Sequence, residues 1–179
     1  MGQSRSPEAA LLVVAGFSRR PEALEWAAQR LSETYGTVAL TSPAFDFHHT
    51  RYYESTMGPG LRKQFLVFAD RVCLDSLPDI KRHTNSLEGE LAGSGTYPEG
   101  RPLNLDPGLL TLGKFILATT KDQAHRIYMR DGIFAEITLR FEAGQYVPWP
   151  WTYADYREPE VRAFLKEARE YYRARLRGA

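Results

Sequence analysis

Residues 127–141 read IYMRDGIFAEITLRF. Two runs rich in β-branched and aromatic residues flank Asp131-Gly132, a dipeptide suited to the paired positive φ angles of a type I′ turn. This predicts a β-hairpin, Ile127–Met129 against Ile133–Phe141, and makes the second half of the chain a sheet. Ala143-Gly144 offers another turn before Gln145–Val147, which extends the hairpin into a meander. With a two-residue turn, Arg130 faces Ile133, Ile127 faces Glu136 and His125 faces Thr138. Side chains alternate between the faces of a strand. Ile133, Ala135, Ile137, Leu139 and Phe141 therefore form the expected core-facing row. Glu136, Thr138 and Arg140 fall on the other face, with His125 beside them.

Working outward, Phe115–Thr119 reads as a strand, and Asp106-Pro107 before it as the start of a short helical turn. Leu11–Phe17 is a continuous apolar run and reads as a buried strand. A helix follows from Pro21, with Ser18 as its expected cap and Leu24, Ala27, Ala28, Leu31 and Tyr35 at helical spacing before Gly36. Thr37–Thr41 and Leu61–Val72 are predicted strands. Ser76–Leu91 is a second helix, capped by Ser76. Residues 93–102 (GSGTYPEGRP) read as an exposed loop, and a terminal helix runs from about Glu158 to Arg177. The order predicts one α+β domain over residues 1–179, with 1–10 a disordered N-terminus. Its helices pack on one face of a mostly antiparallel sheet, in a ferredoxin-like core with a C-terminal β-meander and a terminal helix.

Composition narrows the function classes. The chain has 179 residues, 43% of them apolar and 25% charged, which suits a globular core. Its net charge of +1 speaks against nonspecific nucleic-acid binding. Cys73 is the one cysteine, so no intramolecular disulfide can form, and a cytoplasmic location is expected. The opening apolar run is too short to span a bilayer, and no cleavage site is evident, so no membrane role is expected.

Several stretches carry candidate chemistry. His125, Glu136 and Arg140 form either an acid–base or anion-binding cluster, with His125 titrating near neutral pH, or a sheet face of weak ion pairs. Asn104 and Asp106 suit a ligand hydroxyl or a metal, or else Asp106 caps a helix. Gly108–Phe115 matches the GxxxxGK phosphate loop, but Phe115 stands where a Ser or Thr should meet magnesium, and three of the variable positions are leucine. That match is rejected, leaving Lys114 and Lys121 as anion contacts outside any motif. Residues 45–54 (FDFHHTRYYE) gather Asp46, His48, Tyr53 and Glu54, without the ligand spacing of a metal site. Met57–Gly60 is a turn delivering Arg62 to the next strand. Lys81, Thr84, Asn85 and Glu88 share one helix face, either solvated or clamping a ligand. Residues 148–153 (PWPWTY) suit stacking on a planar ligand or a partner, or closure of the core.

Four blocks carry a family resemblance: FDFHHTRYYESTMGPGLRKQFLVF (45–68), IKRHTNSLE (80–88), NLDPGLLTLGKFILATTKDQAHRIYMRDGIFAEITLRF (104–141) and PWTYADY (150–156). On these the chain resembles, from Leu11 to about Phe164, the bacterial family catalogued as domain of unknown function 4416. In such proteins the stretch at Leu109–Phe115 typically begins with Tyr and has Ser where Gly113 stands, and Arg19-Arg20 departs from the usual turn. The resemblance implies no established activity, and the label "GTP-binding protein" attached to some members has no motif support here. The matched blocks nevertheless contain Asp46, Tyr53, Arg62, Lys81, Asn85 and Asn104. They also contain Asp106, Lys114, Lys121, His125, Arg126 and Glu136.

The expectation is a site for a small anionic ligand, a nucleotide or another phosphorylated metabolite. Arg62, Lys81, Lys114 and Lys121 would supply charge, Asn104 and Asp106 would orient hydroxyls, and His125 with Glu136 would supply acid–base capacity. No cofactor can be named. The alternative is a protein-interaction module using loop 146–156 and the sheet edge. The first requires the polar residues to converge in a concave pocket, and the second requires a flat aromatic patch.

Overall fold

The computed structural model describes residues 2–48 and 52–178. Its first half runs β1 (Ala10–Ser18), α1 (Pro21–Tyr35), β2 (Val38–Thr41), β3 (Phe45–Asp46), α2 (Glu54–Met57), β4 (Arg62–Val72) and α3 (Leu77–Gly93). The second half adds β5 (Asn104–Leu110), β6 (Lys114–Thr119), β7 (Ile127–Arg130), β8 (Ile133–Glu142), β9 (Gln145–Pro148) and α4 (Pro159–Arg177). The strands form one antiparallel sheet in the order β2-β4-β1-β5-β6-β8-β7, with β3 on β4 and β9 on β8. The segment β2-β4-β1-β5, with α1 and α3 as crossovers, is the expected ferredoxin-like core, and the later strands extend it past β5.

Every residue of β1 is buried, which requires cover on both faces of the sheet. Leu12 and Val14 pack with Leu24 and Leu31 of α1 and with Ile80 and Leu87 of α3. Leu11, Val13 and Ala15 pack on the opposite side with Phe164, Leu165 and Tyr172 of α4. α1 and α3 thus share one face, as expected, and the terminal helix covers the other.

Both meander turns are two-residue turns with positive φ at each centre, Asp131 (54°) and Gly132 (74°), then Ala143 (49°) and Gly144 (81°). Arg130 faces Ile133 as predicted, but a bulge at Met129 puts Ile127 opposite Ala135 instead of Glu136. A second bulge matters more. Phe115 of β6 faces Leu139, yet Ile116 faces Ile137, so Thr138 is an extra residue on β8. The facing therefore switches at Thr138, and the predicted core row is split. Glu136 joins Leu139 on the α4 side and is 3% exposed, whereas Ile137 is 39% exposed. Arg140 lands on the face opposite Glu136.

Asp106-Pro107 does not begin a helical turn. Both residues lie inside β5, where Pro107 pairs with Val14 of β1. β6 reaches only as far as Gly108, so the outer edge of β5 is open at Pro107, and its missing N–H breaks no ladder there. Neither predicted serine cap forms. Ser18 donates to the Pro102 carbonyl (2.6 Å), tying β1 to the end of loop 93–102, and Ser76 donates to the Cys73 carbonyl (2.6 Å).

Candidate functional site

A cavity of about 530 Å³ lies at the sheet end where β1 and β6 finish and β4 and β5 begin. α3 contributes Lys81 and Asn85 from one face, and residues 153–156, just before α4, close it from the other. Its walls combine aromatic rings (Phe17, Phe47, Tyr53 and Tyr153) with charge. A volume of this size is in the range of small-molecule sites.

Three networks build the charged part. In the first, Lys81 donates to the Leu105 carbonyl (2.8 Å) and to Asp106 (3.3 Å), and the Asn104 amide donates to the other Asp106 oxygen (2.8 Å). Arg101 donates to Asn104 and to Glu88 (2.8 Å), whose second oxygen accepts the Leu105 N–H (2.7 Å). Burial pushes the Glu88 carboxyl up, against the opposite pull of Lys81 and Arg101. Asn104 and Asp106 cap no helix. They sit on consecutive same-face positions of β5, which aims both at the cavity.

In the second network, buried Glu136 accepts from Arg126 Nε (2.8 Å) and contacts His125 Nε2 (3.2 Å). Arg126 also donates to the Tyr153 hydroxyl (2.6 Å) and the Lys121 carbonyl (2.9 Å). His125 reaches Glu136 from the loop before β7 and not through strand pairing with Thr138. Its ring stacks on Trp151, which stacks on Trp149, over which the Arg140 guanidinium sits at 4.2 Å. The third network is the Lys63–Asp155 pair (2.5 Å). The Lys63 ammonium lies 4.2 Å from the Tyr156 ring centroid and 5.4 Å from that of Phe65.

Of the sequence candidates, Tyr53, Lys81, Asn85, Asn104, Asp106, Lys121 and Glu136 meet in this cavity. Burial pushes the Tyr53 hydroxyl up to about 12. Arg126 and His125 stand behind Glu136. Four candidates lie elsewhere. Asp46 and Arg62 pair with each other on the exposed surface (3.1 Å), Asp46 also bordering a separate cavity of about 200 Å³. Lys114 sits at the β5–β6 turn, at the far end of β6 from the cavity, where Thr111 N–H bonds to its carbonyl (3.0 Å). That hairpin is what the phosphate-loop match turns out to be. Arg140, beside Lys114, pairs with Glu142 (2.8 Å), away from Glu136 because of the Thr138 bulge. His49, Thr50 and Arg51 of the 45–54 stretch lie outside the described residues.

Sequence reasoning missed Lys63, Arg101, Asp155 and Tyr156. Lys63 did leave a signal, because it shares the buried face of β4 with Phe65 and Val67. Asp155 and Tyr156 lie in a short 3₁₀ turn (Ala154–Arg157), where no periodicity marks a buried side.

A protein family described as a domain of unknown function (DUF4416) matches residues 7–172. No curated protein matches the chain.

Proposed function

We propose that this chain, which belongs to the DUF4416 family, binds a small anionic ligand, nucleotide-like or otherwise phosphorylated, in the cavity at the sheet end. The observation that carries this reading is the convergence of Lys81, Lys121, Asn85 and Glu136 with several aromatic rings around about 530 Å³. Such a mixture of flat apolar walls and few placed polar groups is what a small-molecule site requires. His125 stands behind Glu136, so any proton it exchanged with a ligand would pass through that carboxylate. The aromatic loop favours this reading over a docking role. Trp151 donates to the Ile137 carbonyl (3.2 Å) and Thr152 to the Thr138 carbonyl (2.5 Å), so the loop fills the gap between β7 and β9 along β8. Among the described residues no helix is long and apolar enough to cross a membrane. With Cys73 as an exposed free thiol, the reading places the protein in the cytoplasm.

A thermal-shift screen against nucleotides, sugar phosphates and simple carboxylates tests it. A ligand at a hundred times its dissociation constant adds about 2.7 kcal/mol to stability. The shift should disappear in Lys121→Ala and persist in Lys114→Ala, since Lys114 lies at the far end of β6. Equal loss in both variants, or no shift from any anion, would remove the reading.

A further inference from the structure

The charges around the cavity are nearly all answered. Lys63 pairs with Asp155, Lys81 with Asp106, Arg101 with Glu88 and Arg126 with Glu136. Among the described residues, Lys121 is the cavity cation without a carboxylate partner. It is exposed and stands at the mouth, its ammonium 4.9 Å from the Tyr52 ring centroid. A cation already neutralised by a carboxylate adds little net attraction for an anion, so the cavity offers roughly one charge to a ligand.

The opposite end holds a different demand. Tyr156 is 1% exposed and lines the cavity, yet its hydroxyl has no hydrogen-bond partner among the described residues. Buried hydroxyls are normally partnered, and an orphan on a residue that lines a cavity is a donor still open to an acceptor. Burial and the surrounding charges of Asp155, Asp106 and Glu136 keep this phenol protonated, and so able to donate.

Building on the cavity reading, we propose that the site takes a flat ligand with a single anionic group. Lys121 holds that group at the mouth, and the Tyr156 hydroxyl donates to an acceptor atom at the buried end. In chemical class this is a nucleoside monophosphate and not a di- or triphosphate. Further phosphates would add negative charge with no second uncompensated cation to offset it. The aromatic walls suit the flat faces of a base.

Isothermal titration of the full chain, without magnesium, against guanosine, adenosine and their mono-, di- and triphosphates tests the assignment. A monophosphate should bind about ten-fold more tightly than the triphosphate of the same nucleoside. Lys121→Ala should bring it down to the affinity of the parent nucleoside. Tyr156→Phe should weaken it by about ten-fold. The melting temperature of free Tyr156→Phe should stay at or above that of the original chain, because the change removes only an orphan hydroxyl. Equal or tighter triphosphate binding, or unchanged affinity in Tyr156→Phe, would overturn the inference and leave the anion-site reading standing. Binding of hexose phosphates with no nucleotide bound would overturn the flat body. Silence from every anion would remove both.

Discussion

Lys63 and Asp155 are the pair on which the cavity floor depends. Both are buried, at 3% and 8% exposure, and each answers the other's charge at 2.5 Å. Taking two charges out of water is costly, and breaking such a pair leaves one buried and unanswered. Lys63→Met should therefore lose about 3–5 kcal/mol of stability, the penalty of an unpaired Asp155. Asp155→Asn should lose less, because the Phe17, Phe47, Phe65 and Tyr156 rings still surround the ammonium. The double replacement Lys63→Met with Asp155→Asn should recover much of the loss, because no buried charge is then left unanswered. Urea denaturation of the four proteins gives the coupling directly. Losses that simply add would show that the pair is not acting as a unit.

At the scale of the elements, the approach of β5 to β6 sets the shape of the sheet next to the cavity. A Cβ at Gly108 would come within 2.6 Å of the Ile116 carbonyl oxygen and of the Phe115 ring. Gly108→Ala must push two paired strands apart, at about 1–3 kcal/mol. Gly113→Ala, in the turn of the same hairpin, meets nothing within 4 Å and should be near neutral. Chemical denaturation midpoints separate the two, and equal midpoints would mean that the strands yield freely. The β7–β8–β9 meander shows what a sequence does and does not disclose. Asp131-Gly132 and Ala143-Gly144 were readable because a tight turn is decided by the two residues in it. The Thr138 bulge was not, because the extra residue is forced by pairing with β6, many residues away. That one residue moved Arg140 away from Glu136 and turned Glu136 inward. Pro107 misled for the same reason, its local preference for a helix start yielding to pairing with β1. The cavity candidates read from spacing, Lys81 and Asn85, lie on a helix whose facing follows from its period. Tyr156 and Asp155 lie in a 3₁₀ turn and had no such guide.

Across the whole molecule, α3 is held to the sheet by two carboxylates that respond to pH in opposite senses. Asp79, near its start, pairs with Arg130 of β7, which holds that exposed carboxyl below the usual aspartate range. Its contribution is present above the ordinary aspartate value and is lost as pH falls through the lowered one. Glu88, further along, ties α3 to Arg101 and to the Leu105 N–H beside the cavity, and burial holds it above the usual glutamate range. The folded protein therefore keeps the Glu88 proton at pH values where the unfolded chain has released it. Its stabilising contribution is complete below the ordinary glutamate value and is lost as pH rises through the raised one. Glu88→Gln isolates this, because Gln carries no charge at any pH while Asp79 is common to both proteins and cancels in the difference. Unfolding free energies measured across the acid range should show the original chain losing stability relative to Glu88→Gln as pH rises from the ordinary glutamate value, then levelling off. A difference that is flat through that window, or that rises, would mean that Arg101 and Lys81 outweigh burial at Glu88, and that the wall of the cavity next to Asn104 holds its charges without strain.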